Sequence, residues 1–145
     1  MEAKYEIFNP PTLAEHDVSC LRLLTMQLSH APVFREDIER GMKAHTLIVV
    51  RNDRGYIVGM ATLVRITKLS GRVCLIEDLA VNNNVRGSET EEELMEFVLK
   101  IAQSSDFKRI ELVSTSTRIE VKRMYRRLGF KRRKAGVYRF QCDRS

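Results

Sequence analysis

Two adjacent carboxylates, Glu77 and Asp78, interrupt an apolar stretch at residues 73–81 that is predicted to be a β-strand. Strand side chains alternate between two faces, so Glu77 is expected to share a face with Leu79 and Val81, and Asp78 to lie on the other. A carboxylate among apolar side chains is costly unless it is paired or opens to a cleft. At least one of the two is therefore a candidate general base, which takes a proton from a nucleophile. The alternative is a buried ion pair with an arginine.

The chain beyond this strand has features that could bind an anion. A short turn leads to Arg86 and Gly87, which open a helix predicted over residues 88–102. The first amides of a helix lack partners within it and its N-terminus carries a partial positive charge, so this position favours phosphate groups. Glu89 and Glu91 add negative charge there, although acidic side chains also stabilise a first turn.

A further helix, predicted over residues 118–128, carries Tyr125 on the face that also holds Val121 and Leu128. A phenol, whose ordinary pKa is about 10, can protonate a departing basic group. The alternative is a tyrosine that packs in the core. Arg118 could bind an anionic group, or it could equally lie on the surface.

These residues require a scaffold of alternating strands and helices. Periodicity and turn signals predict strands over residues 5–8, 46–51, 56–67, 73–81, 109–114, 130–132 and 137–142, and helices over residues 12–29, 34–43, 88–102 and 118–128. This order is that of an α/β protein in which antiparallel hairpins lead and a β-α-β crossover follows. With 145 residues and no linker or repeat, the chain is predicted to be one domain over residues 1–145.

Composition narrows the functional classes. No apolar run is long enough for a membrane span, and the N-terminus lacks the apolar core of a signal peptide. The three cysteines are far apart and the histidines are isolated, so we expect a cytoplasmic protein without disulfides or a metal site. Basic residues crowd positions 122–134, which suits a polyanion or the phosphates of a cofactor, although a solvated helix face beside a turn is the commoner meaning of such a run. A nucleic acid is not the expected partner, because few aromatic residues beyond Tyr125 and Tyr138 accompany this cluster.

Two motifs carry a family resemblance. The first is IEDLAVNNNVRGSETE at residues 76–91, and the second is RIEVKRMYRRLGF at residues 118–130. In this order and spacing they resemble the GNAT family of acetyl-CoA-dependent N-acetyltransferases. The resemblance covers nearly the whole chain and implies the GNAT fold, a mixed central sheet with helices on both faces.

The resemblance implies an acetyl-CoA site at the end of the 73–81 strand. Backbone groups of the strand would hold the pantetheine, and amides of the following turn would hold the pyrophosphate. Tyr125 would protonate the departing thiolate, and Glu77 or Asp78 would deprotonate the amine. The residues implied in cofactor binding are Leu79, Ala80, Val81, Arg86, Gly87, Ser88, Glu89, Thr90, Glu91 and Tyr125.

The chain departs from the family pattern in the turn. The family's loop runs Arg/Gln-x-x-Gly-x-Gly/Ala, and Glu89 and Glu91 stand at its two glycine positions. Glycines let a backbone approach a pyrophosphate closely, so we expect weak binding of acetyl-CoA.

Two interpretations of function follow from the resemblance. One is an N-acetyltransferase acting on a primary amine of a small molecule. An amino sugar phosphate is a candidate acceptor, because Ile-Glu-Asp-Leu-Ala-Val is similar to a strand of the glucosamine-phosphate N-acetyltransferases. In that case Arg118 is the candidate for the anionic substrate group. The other interpretation is a catalytically impaired GNAT-fold binding or interaction module. Dimers are common in the family, so a homodimer is compatible with both.

Overall fold

The computed structural model describes residues 3–29, 31–85 and 89–142. The chain forms two compact units, Met1–Ser114 and Thr115–Ser145. Within the described residues, the first unit holds a five-stranded sheet and three helices, and the second holds one helix. The single domain over residues 1–145 stays a prediction.

The five strands lie in the sheet in the order in which they occur in the chain. The strands are β1 (Lys4–Ile7), β2 (Thr46–Arg51), β3 (Ile57–Lys68), β4 (Gly71–Val81) and β5 (Arg109–Leu112). The helices of this unit are α1 (Glu15–Ser29), α2 (Arg35–Ala44) and α3 (Glu89–Gln103). The first four strands are antiparallel to their neighbours, whereas β5 runs parallel to β4 after the crossover through α3. The predicted mixed α/β order is therefore confirmed for this unit.

Helices cover both faces of the sheet because its central strands are apolar on both. On β2, Val49 belongs to the same core cluster as Leu24 of α1 and Ile38 of α2. The neighbouring Val50 points to the other face, where it lies against Gly59 of β3. A Cβ atom added to Gly59 would lie 2.7 Å from Val50 Cγ1 and 3.3 Å from Leu94 Cδ2 of α3. Helices α1 and α2 thus cover one face, and α3 packs closely on the other.

A largely buried ion pair ties α1 to the β2–β3 hairpin. Arg51 donates from Nη1 and Nη2 to the two carboxylate oxygens of Asp17, at 2.8 and 2.9 Å. Its Nε donates to Glu6 Oε1 at 2.5 Å, and Nη1 also donates to the Gly55 carbonyl at 3.0 Å. The hydrogen bonds from Arg51 hold the pKa of Asp17 below its usual value. The pair therefore contributes a stability that depends on pH.

Helix α1 begins three residues later than predicted, at Glu15. The chain before it is held by tertiary contacts, because the Leu13 side chain is buried and Arg35 Nη1 donates to the Leu13 carbonyl at 2.7 Å. These contacts replace the helical turn that was expected from residue 12.

The predicted strands over residues 130–132 and 137–142 are wrong. Residues 128–142 contain no strand, and α4 (Ile119–Arg127) is the one helix of the second unit among its described residues. Val137, Tyr138 and Phe140 are 73 %, 98 % and 91 % exposed. An alternating apolar pattern becomes a strand only where another strand pairs with it, and no such partner lies in the described part of this unit.

Candidate functional site

Strand β4 contains a β-bulge at the two carboxylates. Met60 of β3 lies opposite Ala80, and Thr62 lies opposite Glu77. One residue of β3 therefore faces two of β4, Asp78 and Leu79. Asp78 has a φ of 52°, the one positive φ at a non-glycine residue in the part of the chain that the structure describes. Bulges and positive φ values often mark the places where a strand re-aims side chains for function.

The bulge places the residues that follow it on the faces opposite to those that regular alternation would give them. Glu77 lies opposite Thr62 before the bulge, and Ala80 lies opposite Met60 after it. Thr62 and Met60 are two residues apart on β3 and share a face, so Ala80 lies on the face of Glu77. The prediction that Val81 shares this face is wrong, because the extra residue shifts the alternation by one.

Both carboxylates are exposed at the bulge. Thr62 Oγ1 donates a hydrogen bond to Asp78 Oδ2 at 3.2 Å, and Glu77 lies opposite the same threonine in the sheet. Within residues 3–29, 31–85 and 89–142, no arginine or lysine forms an ion pair with either carboxylate, so the buried ion pair is not found there. Two carboxylates that solvent can reach suit the acceptance of a proton.

Beyond Ile76, strand β4 has a neighbouring strand on one side only within the described sheet. Its parallel ladder with β5 runs from Val73 to Ile76 and ends there, whereas its antiparallel ladder with β3 continues to Val81. A strand directs its backbone groups alternately to its two sides. The stretch that contains the predicted residues Leu79, Ala80 and Val81 could therefore hydrogen-bond an extended ligand as another strand would.

The turn after β4 is held by the backbone and side chain of Asn82. Its N–H donates to the Val58 carbonyl at 2.7 Å, and its carbonyl accepts from the Val85 N–H at 2.9 Å. Asn82 Oδ1 accepts from the Asn84 N–H at 2.9 Å. These bonds shape the chain at residues 82–85, which leads toward α3.

Some of the predicted pyrophosphate-binding residues lie outside the part of the chain that the structure describes. Arg86, Gly87 and Ser88 lie outside the described residues, and α3 begins at Glu89. Glu89 is exposed, Glu91 is half-buried and Thr90 between them is buried. Both glutamates stand in the first turn, where a carboxylate stabilises the helix and repels an anionic ligand.

Gln27, near the end of α1, reaches the chain at the end of β4. Its Nε2 donates to the Val81 carbonyl at 3.1 Å, and its Oε1 accepts from the Asn83 N–H at 3.3 Å. The sequence analysis missed Gln27 because a polar residue on a helix gives no sign of its tertiary partner. It also missed Thr62, for which the signal was a polar residue within an apolar strand.

Helix α4 of the second unit carries Tyr125 and Arg118. The half-buried Tyr125 ring contacts Phe130 edge-on, with 5.8 Å between ring centroids, and the Tyr125 carbonyl accepts from the Phe130 N–H at 2.9 Å. Gly129, with a φ of 98°, makes the turn that brings Phe130 back. Arg118 is exposed just before α4, and its Nε lies 3.8 Å from Glu120 Oε2. The roles predicted for Tyr125 and Arg118 stay predictions.

Among the described residues, no group of three or more His, Cys, Asp or Glu side chains could hold a metal ion. In the same part of the chain, no helix has the length and apolar character needed to cross a bilayer.

Comparisons with known proteins identify a matching family and solved structures that are similar to this chain. A family profile described as "Acetyltransferase (GNAT) family" matches residues 3–130. An acetyltransferase from Trypanosoma brucei is 22 % identical, with a TM-score of 0.79 over 97 % of this chain and 100 % of that chain. A glucosamine-6-phosphate N-acetyltransferase from Arabidopsis thaliana is 17 % identical, with a TM-score of 0.75 over 97 % and 99 % of the two chains.

A third structure, AAC(6')-Iy in complex with the bisubstrate analogue CoA-S-monomethyl-acetylneamine, is 15 % identical, with a TM-score of 0.75 over 98 % and 100 % of the chains. At these identities the solved structures show the fold alone, and together with the family profile they confirm the predicted GNAT fold. A search of curated proteins finds no match.

Proposed function

Because the chain belongs to the GNAT family of acetyltransferases, we propose that it transfers an acetyl group from acetyl-CoA to a primary amine of a small molecule. The observation that carries this proposal is the second half of β4, where a bulge presents two exposed carboxylates beside a strand side without a described neighbour. Cofactor binding and proton removal would then use adjacent parts of one strand.

The backbone of β4 fits the extended amide chain of pantetheine. Leu79 and Val81 would form strand-like hydrogen bonds to it, as in other cases of strand addition. The amides at the start of α3, with Arg86, Gly87, Ser88 and Thr90 as the predicted donors, would face the pyrophosphate. Bound acetyl-CoA would supply the acetyl group as a reactive thioester.

Side chains of the protein would accept the proton of the amine and donate a proton to the leaving sulfur. A primary amine is mostly protonated near neutral pH and cannot attack while it carries the extra proton, so Glu77 or Asp78 would accept that proton. Asp78 is the better placed of the two, because the bulge fixes its backbone and Thr62 Oγ1 orients its carboxylate. Tyr125 Oη would donate the proton needed by the leaving sulfur.

The affinity for acetyl-CoA would be weak. Glu89 and Glu91 stand in the first turn of α3, where a pyrophosphate would be expected. A carboxylate some ångströms from a phosphate costs on the order of 1–4 kcal/mol near a protein surface.

An amino sugar phosphate is the proposed acceptor class. Support comes from the likeness to the Arabidopsis enzyme, named a glucosamine-6-phosphate N-acetyltransferase. Arg118, exposed before α4, is the proposed contact for the acceptor phosphate. A cytoplasmic location belongs to the same proposal, since the three cysteines are free.

The second candidate function is a GNAT-fold binding module without catalysis. It is favoured by the same two glutamates, because they stabilise the start of α3 while opposing an anionic cofactor. Such a module would keep the fold and lose the reaction.

The deciding experiment measures thiol release from acetyl-CoA with glucosamine 6-phosphate, glucosamine and a simple alkyl amine. The proposal expects turnover that is fastest with the phosphorylated amino sugar. Asp78→Asn should lower kcat about 100-fold or more at neutral pH and recover as rising pH deprotonates the amine. Glu77→Gln is the matched variant that identifies which carboxylate accepts the proton. Binding of coenzyme A without turnover on any amine would instead support the module.

A further inference from the structure

Gln27 imitates a neighbouring strand at the point where the chain leaves β4. In a parallel ladder, one residue donates its N–H to a carbonyl on the next strand and accepts from the N–H two residues further on. The Gln27 side-chain amide forms this pair of bonds with the Val81 carbonyl and the Asn83 N–H. One side chain thus satisfies a donor and an acceptor on either side of Asn82.

The bonds of Gln27 lie on the side of β4 away from β3. The Asn82 N–H between the two bonded residues points to β3, where it donates to the Val58 carbonyl. Backbone groups of successive residues in an extended chain point to opposite sides. Gln27 therefore occupies the side on which the ladder with β5 has already ended at Ile76.

Two further bonds at this turn are internal to it. Asn82 accepts from the N–H groups of Asn84 and Val85, which shapes residues 82–85 but does not anchor them. The bond from Asn82 to Val58 of β3 and the two bonds with Gln27 of α1 tie this stretch to other elements. Gln27 thus helps fix the direction in which the chain leaves the sheet toward α3.

We propose that Gln27 is a positioning residue for the coenzyme A site. By fixing the Val81 carbonyl and the Asn83 amide, it holds the end of β4 and the turn at residues 82–85 in the orientation that the pyrophosphate of coenzyme A requires. This inference rests on the proposed function. It also limits the predicted role of Val81, because one lone pair of its carbonyl is already used by Gln27.

The test compares Gln27→Met, which keeps the side-chain length and removes both hydrogen bonds, with Gln27→Glu, which keeps only the acceptor. The control is Gln103→Met at the exposed end of α3. Calorimetric titration with coenzyme A should give a Kd about 5- to 10-fold higher for Gln27→Met, the loss expected for one or two hydrogen bonds. Gln27→Glu should weaken binding further, because its carboxylate faces the Val81 carbonyl.

Two readouts separate positioning from a merely structural role. Hydrogen exchange at the Asn83 amide of the free protein should be about 5-fold faster or more in Gln27→Met, while exchange in the central strands is unchanged. With saturating acetyl-CoA, kcat should stay within about 2-fold of wild type while KM rises.

The outcomes distinguish this inference from the function on which it rests. If the wild type binds coenzyme A and Gln27→Met binds it equally well, the positioning role is overturned and the proposed function survives. If the wild type binds no coenzyme A at millimolar concentration, the cofactor site itself fails and the positioning role fails with it.

Discussion

The two halves of strand β4 differ in strand pairing, in the exposure of their charged side chains and in backbone geometry, although they belong to one element. The first half, up to Ile76, lies between β3 and β5, and Val73, Cys74 and Ile76 are buried. The second half contains the bulge, two exposed carboxylates and a residue with positive φ, and it lies beyond the end of the β5 ladder. The first half stabilises the sheet, while the second half leaves polar groups available for a ligand.

The difference shows how a sheet can provide a site without losing its core. A fully paired strand has no free backbone groups for a ligand, and an unpaired strand is not stable on its own. In β4, pairing with β3 on both sides of the bulge stabilises the second half, and the end of the β5 ladder makes its other side accessible. Pairing on one side is the compromise that the proposed function requires.

The largest predicted difference between the halves concerns stability. Ile76→Ala should lower the free energy of unfolding by about 2–5 kcal/mol, because it removes a side chain that is 3 % exposed from a packed core. Glu77→Ala, one residue further along, should change it by less than about 0.5 kcal/mol. Urea denaturation of the two variants measures both values. Equal losses would contradict the division of the strand at Ile76.

A second prediction tests how tightly β3 supports the second half. Gly59→Ala should destabilise the protein by about 1–3 kcal/mol, because its Cβ would lie 2.7 Å from Val50 Cγ1 and 3.4 Å from the Ala80 carbonyl. Val50→Ala removes the closest atom, so the double variant should lose less than the sum of the single variants. If the losses of the two single variants simply add in a thermal or urea melt, the contact with Val50 is not the cause of the destabilisation by Gly59→Ala.

A third prediction attributes the loss of stability at acidic pH to Asp17, which lies on α1 and not at the bulge. Arg51 lowers the pKa of Asp17 below its ordinary value, so the unfolded chain takes up a proton first as pH falls. The stabilisation is complete above about pH 5 and is lost as pH drops through the folded-state pKa. It amounts to roughly 1.5 kcal/mol, the scale of a charged hydrogen bond.

Asp17→Asn should reduce this acid-dependent loss, and Asp53→Asn in the exposed β2–β3 turn serves as the control. Urea melts at a series of pH values measure the slope of the free energy of unfolding against pH. A wild-type slope in Asp17→Asn would show that the acid sensitivity arises elsewhere.

The smallest predicted effect separates the geometry of the bulge from its charge. Asp78→Gly and Asp78→Ala both remove the carboxylate, but only glycine adopts a φ of 52° without strain. The glycine variant should be more stable than the alanine variant by about 1 kcal/mol. Acetyl transfer should fall equally in both if Asp78 is the base. Activity that survives in Asp78→Gly alone would assign the function to the backbone and not to the carboxylate.

Much of the fold could be predicted from the sequence because its elements have clear periodicity. The helix predicted over residues 88–102 is found at Glu89–Gln103, since Leu94 and Val98 mark its buried face. The alternating pattern in residues 137–142 was equally clear but wrong, because periodicity describes one segment and a strand requires a second.

The candidate site was proposed from residue types, and the sequence analysis missed its local geometry. Glu77 and Asp78 stood out because acidic pairs are rare in apolar strands, and this same anomaly was the available signal of the bulge. Alternation was assumed to continue through it, which assigned Val81 to the wrong face. Gln27 could not be predicted, because its partners are backbone groups that tertiary packing brings near.

The bulge also has a consequence for how the gene can change length. Deleting one codon at position 78 or 79 would close the bulge and restore a regular ladder, which at first sight improves the sheet. It would leave Ala80 opposite Met60 and Val81 opposite Gly59, because β4 has one residue more than β3 only at the bulge, so both residues would keep their faces. The Gln27 bonds would also keep their register, but one bulged residue and the backbone geometry with positive φ would be lost. A single-codon loss, which in a regular strand would exchange the faces of all residues after it, would here alter the proposed site and spare the core.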